Sequence, residues 1–211
     1  MIEYGIILIK GFIIGFSLAM TVGPISLFCI QQTLRRGFYA GIAAGLGAAT
    51  ADGIYGAVAG LGLTVFGEFL VRQQLSLQLI GGGFLIYLGI TIFRSVAAQT
   101  VPPAVGKKDL IGLFSSTLFL TLANPLTIFG FAAFISGMGI NTDSAGTSLA
   151  VTLFTSLFLG SATWWLILTG ILSTFRTRIS MNLIHILNRV SGAAITAFGL
   201  VVFLRALKNL F

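Results

Sequence analysis

Six apolar runs, each about 20 to 29 residues long and almost empty of charge, occupy nearly the whole chain. They lie at about 5–32, 38–66, 75–95, 110–137, 148–172 and 183–205. Roughly 20 helical residues cross the hydrocarbon of a bilayer, so every run is long enough to span and little is left for a soluble domain. Only 8% of residues are charged and the mean hydropathy is +1.04, whereas soluble domains carry roughly 25% charged residues. The sequence therefore predicts an all-α integral membrane protein, one polytopic domain over residues 1–211 with six transmembrane helices. The first run has no strongly basic leader and no A-x-A-like cleavage site, so it reads as a membrane helix, with the mature protein starting near Met1.

The net charge of +7 would suggest nucleic acid in a soluble protein, but here it sits in short loops. Arg35 and Arg36 lie in the first loop, Arg94, Lys107 and Lys108 in the third, and Arg176 and Arg178 in the fifth. The second offers only Arg72 and the fourth no base. By the positive-inside rule the odd-numbered loops face the cytoplasm, which puts both termini outside, although Arg205 and Lys208 argue mildly against this. The single cysteine, Cys29, excludes an intramolecular disulfide, a CxxC pair and a thiolate metal cluster.

The segment "AAQTVPPAVGKKD" at 97–109 is the longest polar connection, and Pro102-Pro103 cannot continue a helix. It divides the chain into halves at about 1–97 and 109–211 that look alike. Laying Pro24 on Pro125 brings "GPISLF" over "NPLTIF"; "GAAT" at 47–50 resembles "GSAT" at 160–163; and Gly82, Gly89 and Phe93 are spaced like Gly192, Gly199 and Phe203. Each half has three spans, an odd number, so the second copy enters the membrane in the opposite sense. The expectation is a pair of inverted-topology three-helix repeats.

Both halves carry a proline inside a span. Proline removes a backbone donor and clashes with the carbonyl one turn earlier, so helices 1 and 4 are expected to break at Gly23-Pro24 and Asn124-Pro125. Irregular backbone at membrane depth persists only when buried in protein or lining a water-filled cavity, and paired breaks in inverted halves point to a transporter's substrate site. Freed amides at a helix N-terminus suit a carboxylate, and freed carbonyls an ammonium. Thr21, Ser26, Asn124 and Thr127 supply hydrogen bonds around the breaks, though each serves equally to satisfy loosened backbone.

Asp52 is the sharper clue. Near the middle of helix 2 a charge costs at least ~2.5 kcal/mol on insertion scales, and no base lies elsewhere in that span. It needs a partner or a proton, and a group that exchanges a proton for a cation is a coupling residue; the bland reading is a neutral acid bonding between helices. Gly45, Ala48, Ala49, Gly56 and Ala59 share its face, with Tyr55 three residues on, so a helix can approach or a cavity can open there. Trp164 and Trp165 lie too close to the middle of helix 5 for an interfacial belt, so one is expected to face lipid and the other the bundle, as cavity wall or as core. No GxxxxGK[ST] loop, HExxH or Ser-His-Asp cluster is present, and the chain does not read as an enzyme.

These features together resemble a known family. "GFSLAMTVGPISLFCIQQTLRRGFYAGIAAGLGAATADGIYGAVAGLGL" looks like the N-terminal signature of the LysE/RhtB amino-acid exporters, and "NPLTIFGFAAF" like its second half-signature. The likeness covers essentially the whole chain. It implies a multi-pass bacterial inner-membrane exporter driven by the proton-motive force, with Asp52 and the two breaks as transport residues. Two departures stand out: Val22 precedes Gly23-Pro24 where the family often has Pro-Gly-Pro, and Leu126 follows Asn124-Pro125 where a lysine is common.

The reading is a secondary active exporter of amino acids or related small zwitterions or cations, by proton antiport. Its substrate site is Thr21, Gly23, Pro24, Ser26, Tyr55, Asn124, Pro125, Thr127 and Trp165, with Asp52 coupling to protons. No cofactor, resident metal or nucleic-acid partner is expected. The rivals are a metal-cation exporter, for which one aspartate is a thin ligand set, a thiol redox carrier, which needs two cysteines, and a non-transporting scaffold. Gly37, Gly41 and Gly45 form a small face that suits internal packing as readily as a homodimer.

Overall fold

The computed structural model describes residues 2–21, 23–61, 74–94, 106–124, 127, 131, 146–175 and 181–208. Apart from short turns and helix ends these residues are helical, without a strand among them. Seven helices are described: α1 (Ile2–Ala19), α2 (Pro24–Arg36), α3 (Phe38–Gly60), α4 (Gln74–Arg94), α5 (Lys107–Ala123), α6 (Thr147–Phe175) and α7 (Met181–Lys208).

Three stretches are long and apolar enough to cross a membrane alone: Phe38–Gly60, Thr147–Phe175 and Asn188–Lys208. A fourth span is the pair Tyr4–Ala19 and Pro24–Arg36, bent by 76° at the break. The apolar part of α4, Gln78–Arg94, and the 17 residues of α5 fall short of that test. The expected run at 110–137 is cut at Asn124, and most of the expected second and fourth loops lies outside the described residues. The described helices thus account for three to four spans by length and composition, where the sequence predicts six.

The outward surface is apolar and the interior is not. Ile9, Ile13, Ile111, Val151 and Val190 are exposed, while Gln31, Gln32, Asp52, Asn124, Ser161 and Asn188 are buried. Water would not tolerate such a surface on a monomer; lipid does. The core between helices is built largely of alanine, including Ala40, Ala44, Ala48 and Ala49 on α3, against Cys29, Trp165 and Ile195.

Small residues set the helix contacts. A methyl group on Gly47 of α3 would strike the Phe114 carbonyl of α5, and one on Gly160 of α6 would strike the Phe12 carbonyl of α1. Gly45 lets the Trp165 side chain lie on α3, where an added methyl would come within 2.5 Å of Trp165 Cβ. Helices α4 and α7 run antiparallel with reciprocal contacts. Gly82 faces Phe203 and the Gly199 carbonyl, while Gly192 faces Phe93 and the Gly89 carbonyl. One glycine is needed for its backbone: Gly37, between α2 and α3, has φ 95 and ψ −175, a conformation that side chains with a Cβ avoid.

Candidate functional site between two helix breaks

The first break follows from Pro24. Having no N–H, it cannot serve the carbonyl of Met20, and it pushes the preceding residue out of the helical region. Gly23 is accordingly extended, with φ −146 and ψ −175, and Pro24 opens α2 as its first residue. The Thr21 N–H donates to the Leu18 carbonyl at 3.1 Å, closing α1 in a tight turn. The Ser26 hydroxyl donates to the Thr21 carbonyl at 2.7 Å. Ser26 thus uses its proton on loosened backbone, the plainer of its two expected roles, and keeps only acceptor capacity for a ligand. Beyond the proline, the amides of Ile25 and Ser26 belong to a first turn with no intrahelical acceptor, at the positive end of α2.

The second break repeats the logic. Helix α5 stops at Ala123, and Asn124 is extended with φ −79 and ψ 114, as expected of a residue before proline. Its N–H reaches the Thr121 carbonyl at 3.3 Å. Pro125 lies outside the described residues; Thr127 is described and helical.

Between the breaks lies a cavity of about 90 Å³. Thr21, Gly23, Pro24 and Ser26 line it from the first break, Asn124 and Thr127 from the second, Asp52 from α3 and Trp165 from α6. Tyr55 stands one turn beyond Asp52 and is not a lining residue. Its hydroxyl donates to the Leu122 carbonyl at 2.7 Å, and its ring stacks on Phe131 at 5.0 Å and 20°.

The wall has further residues that the sequence did not single out, besides Ala48 on the Asp52 face. Leu18, Ala19, Ile25, Ala48 and Phe131 make it mostly apolar, and Thr121 adds a hydroxyl. Thr121 had a legible signal, since it is four residues before Pro125 and loses that residue's N–H. Phe131 had none: an aromatic in an apolar run looks the same whether it meets lipid or a cavity.

Asp52 is buried and is the one acid among the described lining residues, which include no base. The Ser161 hydroxyl faces its carboxyl but completes no hydrogen bond among the described residues. Trp165 is only 3% exposed, and its indole N–H, like that of Trp164, has no acceptor among the described residues. Trp164, next to it, instead meets the edge of Phe16 at 5.6 Å and 83°. The site therefore offers one carboxylate on one wall and the first-turn amides of α2 on another, inside an apolar shell. Among the described residues no three His, Cys, Asp or Glu side chains gather to hold a metal ion.

Comparison with known proteins agrees in kind. Residues 16–206 match the family model described as LysE type translocator. The chain is 28% identical over 202 residues to a protein of Bacillus subtilis (strain 168) named "Putative amino acid efflux protein YcgF", a match covering 94% of this chain and 95% of that one. No solved structure matches. With a family match over nearly its full length and an apolar, multi-helix body around a cavity that holds one buried acid, the chain belongs to the LysE type translocator family and is a membrane transporter, not an enzyme.

Proposed function

We propose that this protein exports amino acids from the cytoplasm across a bacterial inner membrane by proton antiport. The observation that carries the reading is the cavity itself: two helix breaks and one buried acid, Asp52, meet around a space with no base on its described wall. The ammonium of a substrate pairs with Asp52, and its carboxylate meets the first-turn amides of α2 and the Thr21 and Thr127 hydroxyls. Once the substrate has left outward, a proton takes its place on Asp52 and is released inward. The name of the Bacillus subtilis relative supports the choice of amino acids.

The two halves act as inverted repeats that rock around this cavity. Several reciprocal contacts support that reading. The α4 and α7 contacts exchange into one another when Gly82, Gly89 and Phe93 are swapped with Gly192, Gly199 and Phe203. Gly47 against Phe114 and Thr117 is matched by Gly160 against Phe12 and Phe16. Carrying the "GAAT"/"GSAT" alignment two residues further lays Asp52 on Trp165, and both line the cavity. Gly23 with Asn124, and Ser26 with Thr127, are likewise corresponding pairs on the wall.

Rocking requires contacts between the halves to break on one side of the cavity at a time. Two side-chain hydrogen bonds support this reading. On the side of Arg36 and Lys107, read as cytoplasmic, Gln31 Nε2 of α2 donates to Asn188 Oδ1 of α7 at 3.2 Å. On the other side the Tyr55 hydroxyl of α3 holds the Leu122 carbonyl of α5.

A counterflow screen in proteoliposomes across amino acids, polyamines and divalent metals, with a pH gradient imposed, tests the proposal. Exchange of one or more amino acids, accelerated by the gradient, is expected. Exchange of divalent metals alone makes this a metal exporter, and exchange of nothing favours a scaffold.

A further inference from the structure

The charge pattern of the cavity narrows the substrate. Resting on the export reading above, we propose that the site takes monoamino monocarboxylic acids with small, uncharged side chains, and that each molecule leaves in exchange for one proton so that transport is electrogenic.

The first ground is charge. Asp52 supplies one negative charge, and the described lining residues supply no positive one. A substrate ammonium neutralises Asp52. The side-chain ammonium of lysine, or the second amine of a diamine, would then sit in a buried apolar space without a counter-charge, which is costly. An acidic side chain fares no better, because no described cation faces it. An α-carboxylate has donors instead: the first-turn amides of Ile25 and Ser26 stand at the positive end of α2, and the Trp165 indole N–H is buried with no acceptor among the described residues. That indole is independent of the helix terminus and belongs to a side chain that lines the same cavity.

The second ground is size. About 10–15 Å³ of such space holds one water, so the 90 Å³ cavity takes a solute of several heavy atoms, the size of a small amino acid. What the polar groups leave over is walled by Leu18, Ala19, Ile25, Ala48 and the rings of Phe131 and Trp165. That wall suits a methyl, hydroxymethyl or isopropyl group.

The charge balance follows. Outward-facing, Asp52 gives up the zwitterion and takes one proton; inward-facing, it releases that proton and pairs with the next ammonium. The zwitterion carries no net charge and the proton one, so each cycle moves one positive charge inward. A negative-inside potential then drives export.

The test uses wild-type protein in proteoliposomes loaded with radiolabelled alanine, serine, valine, lysine, glutamate or putrescine, under potassium diffusion potentials set with valinomycin. Alanine, serine or valine should exchange at least tenfold faster than the charged compounds, and their efflux should accelerate with a negative interior. Lysine or putrescine exchanging as fast as alanine overturns the substrate assignment while leaving export intact. Potential-independent efflux of alanine overturns the one-proton balance. Failure of every amino acid brings down the export reading itself. Phe131→Ala, checked for a monodisperse elution profile, should raise the ratio of leucine to alanine exchange several-fold; an unchanged ratio removes Phe131 from the wall that sets size.

Discussion

The Tyr55 hydroxyl donates to the Leu122 carbonyl at 2.7 Å, tying α3 to the end of α5 one turn beyond Asp52. Tyr55→Phe keeps the ring stacked on Phe131 and leaves the carbonyl unpaired. A net hydrogen bond contributes about 0.5–1.5 kcal/mol, so closure on that side should weaken by up to about tenfold, with folding retained. Counterflow rates of the variant against wild type check this; identical rates would show that the bond is no latch.

On the opposite side of the cavity, Gln31 and Asn188 join α2 to α7. Interhelical polar pairs in membranes couple by about 0.6 kcal/mol on average. A double-mutant cycle of Gln31→Leu and Asn188→Leu, read by thermal denaturation in detergent, should return a coupling of that size. The double variant should also change the counterflow rate, which a purely structural contact would not.

Asp52→Asn keeps the shape of the side chain and removes its charge and its proton. Export driven by a pH gradient should fall to background, whereas helical content should be unchanged by circular dichroism. Gradient-driven export persisting at the wild-type rate would remove Asp52 from coupling.

Two glycines mark where helices cannot move apart cheaply. Gly47→Ala and Gly160→Ala each push a methyl into a neighbouring carbonyl, that of Phe114 and that of Phe12. Overpacking of this kind costs about 1–3 kcal/mol, and melting temperatures should drop. Gly83→Ala is the contrast: nothing lies within 4 Å of the added methyl, and the gain in helix propensity, at most about 1 kcal/mol, should leave stability equal or higher.

The helices and their breaks were legible because they depend on short-range rules. Apolar run length specifies where a helix crosses hydrocarbon, and proline acts on the residue before it and the carbonyl one turn back. Gly23 and Asn124 are both extended for that reason. The run ending at 32 breaks as expected at Gly23-Pro24, but α1 and α2 diverge there by 76°, an angle no local rule specifies. Ser26 could be read two ways from the sequence, and only the geometry gave its proton to the Thr21 carbonyl.

By itself, the sequence determined an all-helical membrane body, the two proline breaks, and one acid too costly to be idle. Tertiary packing decided which residues share a wall. It separated Trp165, lining the cavity, from Trp164, packed on Phe16, and moved Tyr55 from the wall to a bond across the halves. The physical reason is that lipid and protein interior are both apolar. Hydropathy therefore identifies what crosses the membrane, while only the close approach of glycine faces between helices identifies what points inward.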